Sequence, residues 1–336
     1  MNYKERLPQI YVILGTYHCL VSENLPEACR TLEHALKLAE ETNDLVSLVL
    51  ASFYYATSLA AGAQFEKSEE HYQKSYEINL AAGSLWGASA MLSACSYACL
   101  LPQGKVEEGF RATERSIELA EKSGDVYSRG TAYASHGISC FYKGFFQEAE
   151  IQMEKGFQWR NAIPFLWYGT AQIFLGLAHA EMGNFEKSKE SLHLAISALA
   201  DNDLNPSLVT LGRAALMRTK ILNRERDFDG DFLRDIRCNL LTVTGLLYWC
   251  LGDIYLHIGD DHIPEAEHWY RQAMETSEQK GTKFSGGLAA ASFAEVFRRK
   301  GDHTQAKSNL GRAIDIFRQC GAVGWVRKYG EQLERQ

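Results

Sequence analysis

The feature that most constrains this chain is a pair of small residues, seven apart, that returns about every forty positions. The pairs Ala28/Ala35, Ser68/Ser75, Gly109/Ser116, Ala149/Gly156, Ser188/Ala195, Ala266/Ala273 and Ala306/Ala313 begin 40, 41, 40, 39, 78 and 40 residues apart, the 78 being two periods. In three periods the pair extends to one longer spacing of 7, 5 and 7 residues: Gly137, Gly144, Ala149, Gly156; Gly176, Gly183, Ser188, Ala195; and Ala294, Gly301, Ala306, Ala313. A constant period of this length means one supersecondary unit repeated and stacked, because a single unit cannot bury its own apolar face.

Each period holds two apolar patterns of helical spacing. The first is nearly uncharged; the second is amphipathic, as in "LPEACRTLEHALKLAEE", where Ala28, Leu32, Ala35, Leu36 and Ala39 share a face. Stop signals such as "AEETND", "AAGS", "EKSGD" and "QKGT" end the second helix. The small residues mark helix crossings too tight for a longer side chain. One period, about 205–240, is degenerate: "LVTLGRAALMRTKIL" reads as a first helix, but "NRERDFDGDFLRDIR" has no small pair.

The pattern Leu-Gly, a position usually aromatic, Gly, then small residues seven apart resembles the tetratricopeptide repeat in a long variant of about forty residues. It is clearest at 169–200, 130–160 and 245–278, where Leu251, Gly252, Tyr255, Gly259, Ala266 and Ala273 follow it around an insertion, "DDHI". His179 and Cys140 replace the usual aromatic, and Ser or Gly replaces Ala in several units. The resemblance implies an all-α, right-handed superhelix of about eight helix pairs spanning 1–336 as a single array, closed by a capping segment at about 315–336. That tail, "AIDIFRQCGAVGWVRKYGEQLERQ", is similar to the end of repeat arrays that follow a STAND-type ATPase, sometimes with a nucleotide cyclase, in large bacterial signalling proteins. On that likeness the chain is expected to be a regulatory or sensor module whose partners include ATPase or cyclase modules of the same parent chain.

Chemistry is sparse by comparison. A net charge of -7 with Lys and Arg dispersed argues against a nucleic-acid footprint. No phosphate-binding loop, H-E-x-x-H or G-x-S-x-G run occurs, so neither cofactor nor catalysis is expected. His257, His262 and His268 lie 5 and 6 apart, spacings that do not put three imidazoles on one helical face, and Pro264 reads as an ordinary helix start. The eight cysteines show no C-x-x-C spacing, and Cys95 and Cys99 read as small core residues. Leu45 to Phe65 is uncharged over 21 residues but rich in Ser, Thr, Tyr, Ala and Gly, so a core helix is expected rather than a membrane span. With no signal-peptide pattern at the start, a cytoplasmic location is expected.

What remains is a surface. In the repeat family the first helices line the concave face, and carrying its groove positions over points to Tyr55, Tyr142, Glu181, Trp249, Asp253, His257, Glu295, Arg298 and Arg299 as contacts for a protein or peptide. The basic clamp by which chaperone-binding repeats grip a carboxylate is missing from "LASFYYATSLAAG" and "GTAYASHGISCFYKG". The expected function is therefore non-catalytic protein or peptide binding within a larger signalling protein. The alternatives are a free-standing intracellular receptor for a short signalling peptide, and an enzyme with a small-molecule site in the superhelix, for which no titratable constellation converges.

Overall fold

The computed structural model of the chain describes residues 6–225, 232–234 and 236–335. Among them are sixteen helices and no strand. First and second helices alternate: α1 (Leu7–Leu20) with α2 (Leu25–Thr42), α3 (Leu45–Ala61) with α4 (Phe65–Ala81), and α5 (Leu85–Gln103) with α6 (Val106–Ser123). Next come α7 (Val126–Lys143) with α8 (Phe146–Phe157), and α9 (Phe165–Glu181) with α10 (Phe185–Ala200). α11 (Pro206–Leu222), without a second helix among the described residues, precedes α12 (Leu241–Ile258) with α13 (Ile263–Lys280), α14 (Lys283–Arg299) with α15 (His303–Cys320), and a last helix α16 (Val323–Glu334). Of the degenerate segment that follows α11, residues 226–231 and 235 lie outside the described residues; Phe232–Arg234 form a single 3₁₀ turn.

Local chemistry sets the boundaries. Asn24, Asp44, Asp125 and Asp302 cap α2, α3, α7 and α15, each side chain accepting a backbone N–H three residues on. Asn43, Gly124, Gly281 and Gly321 end second helices in the left-handed conformation. At the crossings, a Cβ on Gly137 would lie 2.4 Å from Met153 Cγ, and one on Gly176 2.5 Å from Leu192 Cγ. Where serine takes the small position it adds a bond across the pair: Ser68 Oγ donates to the Ala56 carbonyl at 2.8 Å and Ser188 Oγ to that of Gly176 at 2.7 Å. A buried hydroxyl needs such an acceptor, so serine substitutes for alanine here without an unsatisfied group.

α5 holds a π turn at Ser96–Leu100, and with α12 it is long and apolar enough to cross a bilayer; 67% of each apolar stretch is buried inside the protein. α3, which contains most of the uncharged Leu45 to Phe65 stretch, is two residues shorter than α5 and packs between α2 and α4.

The array turns back on itself. Trp325 of α16 lies against Phe141 of α7, its indole N–H donating to the Phe141 carbonyl at 3.0 Å, and stacks on Phe317 of α15. Gly144 and Gly324 meet backbone to backbone, a Cβ on Gly324 falling 2.4 Å from the Gly144 carbonyl oxygen. Elsewhere the turn after α1 meets the turn before α11: Asn205 N–H donates to the Leu20 carbonyl at 2.7 Å, and Glu23 accepts from Ser207 N–H at 3.1 Å and from its hydroxyl at 2.5 Å. Much of the inner face is therefore covered by the chain's own later repeats.

Candidate functional site

The groove positions named from the sequence separate into three places. Tyr55 is half-buried on α3, edge-on to His71 with ring centroids 4.8 Å apart. Tyr142 is buried between Phe174 and Phe284, at 5.6 and 4.4 Å, so an α14 side chain covers it. Glu181, Trp249 and Asp253 converge on Arg218 of α11. The last group continues outward: exposed His257 has its Nδ1 2.8 Å from the Asp253 carbonyl oxygen. Glu295 accepts from Arg298 and Arg299, and Arg299 also donates to the Leu256 carbonyl at 2.6 Å.

The Arg218 cluster is a buried charge network. Its Nε donates to Asp253 at 2.6 Å, an Nη donates to Glu181 at 2.8 Å, and the guanidinium lies 4.1 Å from the centre of the Trp249 ring. Tyr270 donates its hydroxyl to Asp253 at 2.6 Å, and Lys328 of α16 pairs with Glu181. Two cations and two carboxylates thus cancel, as buried charges must. Burial alone would raise the Glu181 carboxyl, but Lys328 and Arg218 outweigh it and bring it down to about 2.

A second feature, which the sequence reading did not single out, is a cavity of about 340 Å³ inside the ring. First helices build most of its wall: Phe53, Tyr54 and Thr57 from α3, Tyr97 and Ala98 from α5, Tyr127 from α7, and Phe165, Trp167 and Thr170 from α9. Cys19 and Leu20 join from the end of α1; Leu204, Asn205, Leu208 and Leu240 close the far side. No charged side chain lines it. Burial pushes the Tyr127 hydroxyl and the Cys19 thiol up to about 12, and it raises Tyr97 despite a hydrogen bond with Thr170, so these groups stay neutral. Tyr97 and Trp167 meet edge to face at 6.0 Å, and Tyr72 and Thr57 share a hydrogen bond of 2.9 Å.

One polar group stands apart. Asn205 is buried, in the left-handed conformation, and its amide oxygen has no hydrogen-bond partner. A mostly aromatic wall with one or two oriented polar groups is the usual composition of a small-ligand or side-chain pocket. It offers apolar burial beside neutral tyrosine and threonine hydroxyls. Among the described residues no group of three His, Cys, Asp or Glu is placed to hold a metal ion.

Tyr54 was nearly legible, because it adjoins Tyr55 and differs from it by one step of about 100° around the helix. Phe53 and Trp167 carry only the signal of large aromatics on first helices. Asn205 and Leu240 carry none, since their place depends on ring closure.

No family model matches the chain, and no curated protein matches it. Among solved structures it is similar to the Rap conjugation gene regulator of the plasmid pLS20 in complex with the Phr* peptide, with a TM-score of 0.56 and 13% identity over 97% of this chain and 74% of that one. It is also similar to the apo form of RapI, with a TM-score of 0.50 and 12% identity over 93% of this chain and 98% of that one. At such identities the likeness shows the fold, a tetratricopeptide-like array of paired helices.

Proposed function

We propose that this chain is a regulatory module that binds a short peptide inside its ring, with apolar side chains of the peptide entering the aromatic cavity. The observation that carries the reading is the uncharged cavity, walled by first helices of successive repeats and large enough for one or two bulky side chains. The likeness to a regulator solved with a peptide supports it. Of the alternatives posed by the sequence, a free-standing peptide receptor fits better than a docking module of a larger signalling protein. Much of the concave surface that a docking module would present is covered by α14 and α16.

The test is a titration with short peptides that differ in aromatic content and charge, followed by fluorescence, with Trp167→Phe identifying the cavity signal. Peptides with aromatic or branched apolar side chains are expected to bind. Ala98→Trp, which fills part of the cavity, is expected to weaken them at least about tenfold, about 1.4 kcal/mol, with the thermal transition retained. Saturable binding that ignores Ala98→Trp, or tighter binding of highly charged peptides, would place the site elsewhere.

A further inference from the structure

The first helix exposes a stripe that the later repeats bury. Gly15 and Gly176 hold the same crossing position, since a Cβ on each would strike the Cγ of a leucine in the next helix, Leu32 at 2.4 Å and Leu192 at 2.5 Å. Gly252 does the same against Tyr270. Relative to that position, Ile10, Ile13, Leu14 and Tyr17 correspond to Ala171, Phe174, Leu175 and Ala178 in α9, and to Leu247, Cys250, Leu251 and Ile254 in α12. All eight of those are buried, and Phe174 shows what they do: it packs on Phe141 and Tyr142 of the preceding first helix. In α1 the four side chains are instead 37, 68, 45 and 51% exposed.

A helix face that no neighbour covers is ordinarily a polar outer face, since a contiguous exposed apolar patch marks an interaction site. The far end has one, because α16 turns Trp325 and Tyr329 inward and leaves Arg327, Glu331 and Glu334 exposed. The α1 end carries the large apolar residues of a stacking face. We propose that this face is covered by α1 of a second copy of the chain across a two-fold axis.

Two observations select that occupant. Head-to-tail stacking of copies is disfavoured, because the stripe would have to pack on the outer face of α16, where Arg327, Glu331 and Glu334 are exposed. The stripe is also self-complementary: with two α1 helices antiparallel, Ile13 and Leu14 lie at the axis, Ile10 meets Tyr17 of the second copy, and exposed Arg6 comes opposite Val21. There the carbonyls of a helix C-terminus favour a cation. One helix pair covers less than the roughly 1,600 Å² of a standard interface, so the association is weak and concentration-dependent.

Sedimentation velocity over a concentration series, without peptide, tests this independently of the cavity. The expected result is a mass that doubles as concentration rises and stays monomeric in Ile13→Glu, whose thermal transition is unchanged because the side chain is mostly solvated. Oxidative cross-linking supplies a second readout: Ile13→Cys is expected to form covalent dimers, and Val323→Cys, exposed on α16, is not. A wild-type chain monomeric throughout, a dimer that survives Ile13→Glu, or cross-linking through position 323 alone would each overturn the proposal.

Discussion

Replacing Arg218 by methionine isolates what holds the last third of the ring to the middle. In the wild-type cluster Glu181, Asp253, Arg218 and Lys328 sum to zero charge, and Arg218 alone touches both carboxylates. Methionine keeps much of the packing against Trp249 but leaves Asp253 buried with only the Tyr270 hydroxyl and no cation. Removing one partner of a buried ion pair costs about 3–5 kcal/mol, which at about 2–4 °C per kcal/mol lowers the melting temperature by roughly 10 °C. Arg218→Met/Asp253→Asn removes the stranded charge while keeping an acceptor for Tyr270, and is expected to recover most of the loss.

Acid separates this from a plain packing defect. The wild-type Glu181 carboxyl, brought from 4.5 down to about 2, contributes stability that is present above its unfolded value and lost as pH falls toward 2, about 3 kcal/mol by linkage. In Arg218→Met the Glu181 carboxyl keeps Lys328 but loses Arg218, one of the two cations that lower it, so the variant has less of this acid-sensitive stability to lose. The stability gap between variant and wild type is therefore expected to narrow as pH falls from 7 to 4. Thermal or denaturant unfolding across that range measures it. A gap independent of pH, or a double variant no more stable than the single one, would refute the reasoning.

The remaining predictions concern the closure contacts. Burial raises the Glu23 carboxyl above 4.5 against the lowering effect of its Ser207 hydrogen bonds, so its folded form is favoured at low pH and that contribution is lost as pH rises through the folded value. Glu23→Gln, which still accepts from the Ser207 N–H, is expected to be as stable as wild type or more so at pH 7, losing that advantage in acid. Glu23→Ala removes an N-terminal cap of α11 and is expected to cost about 1 kcal/mol, read from the same unfolding curves. Gly324→Val drives a side chain onto the Gly144 backbone, which has no flexible end to yield. A loss of about 1–3 kcal/mol is expected, with faster amide exchange in α16 than in α9.

The repeat was legible in the sequence because its signal is local. A small residue at a crossing, a glycine or asparagine at a helix end and a capping aspartate each act within about twenty positions, so Gly137, Asn43 and Asp125 announce their roles without the fold. The π turn at Ser96–Leu100 was not legible, since nothing in "SYACL" departs from an ordinary helix. Nor was the closure. Ser207 and Glu23 are 184 residues apart, as are Trp325 and Phe141, and a periodic pattern fixes each repeat against its neighbour while leaving the accumulated curvature open. The concave positions read from the repeat register, Tyr142, Trp249 and Asp253 among them, are on first helices as expected. What covers them depends on how far the array turns, which is a sum of small rotations and not a residue pattern.

That sum also bears on whether the cavity is a packing defect. A closed apolar void would cost about 24 cal/mol per Å³, but this space of about 340 Å³ opens to solvent beside Phe165, which is 57% exposed, so its cost is that of leaving aromatic side chains wet. Water on the Tyr97 and Thr170 hydroxyls relieves part of this, but Phe53, Phe165 and Leu208 offer water no partner. The same ring packs Tyr142, Phe284 and Trp325 without such a gap. Small residues at Ala94 and Ala98 keep the space open, where larger apolar side chains would have filled it as they do a few ångströms away. A chain that tolerates this cost at one place, and lines it with aromatics on consecutive first helices, gains most from a ligand whose apolar side chains occupy the space.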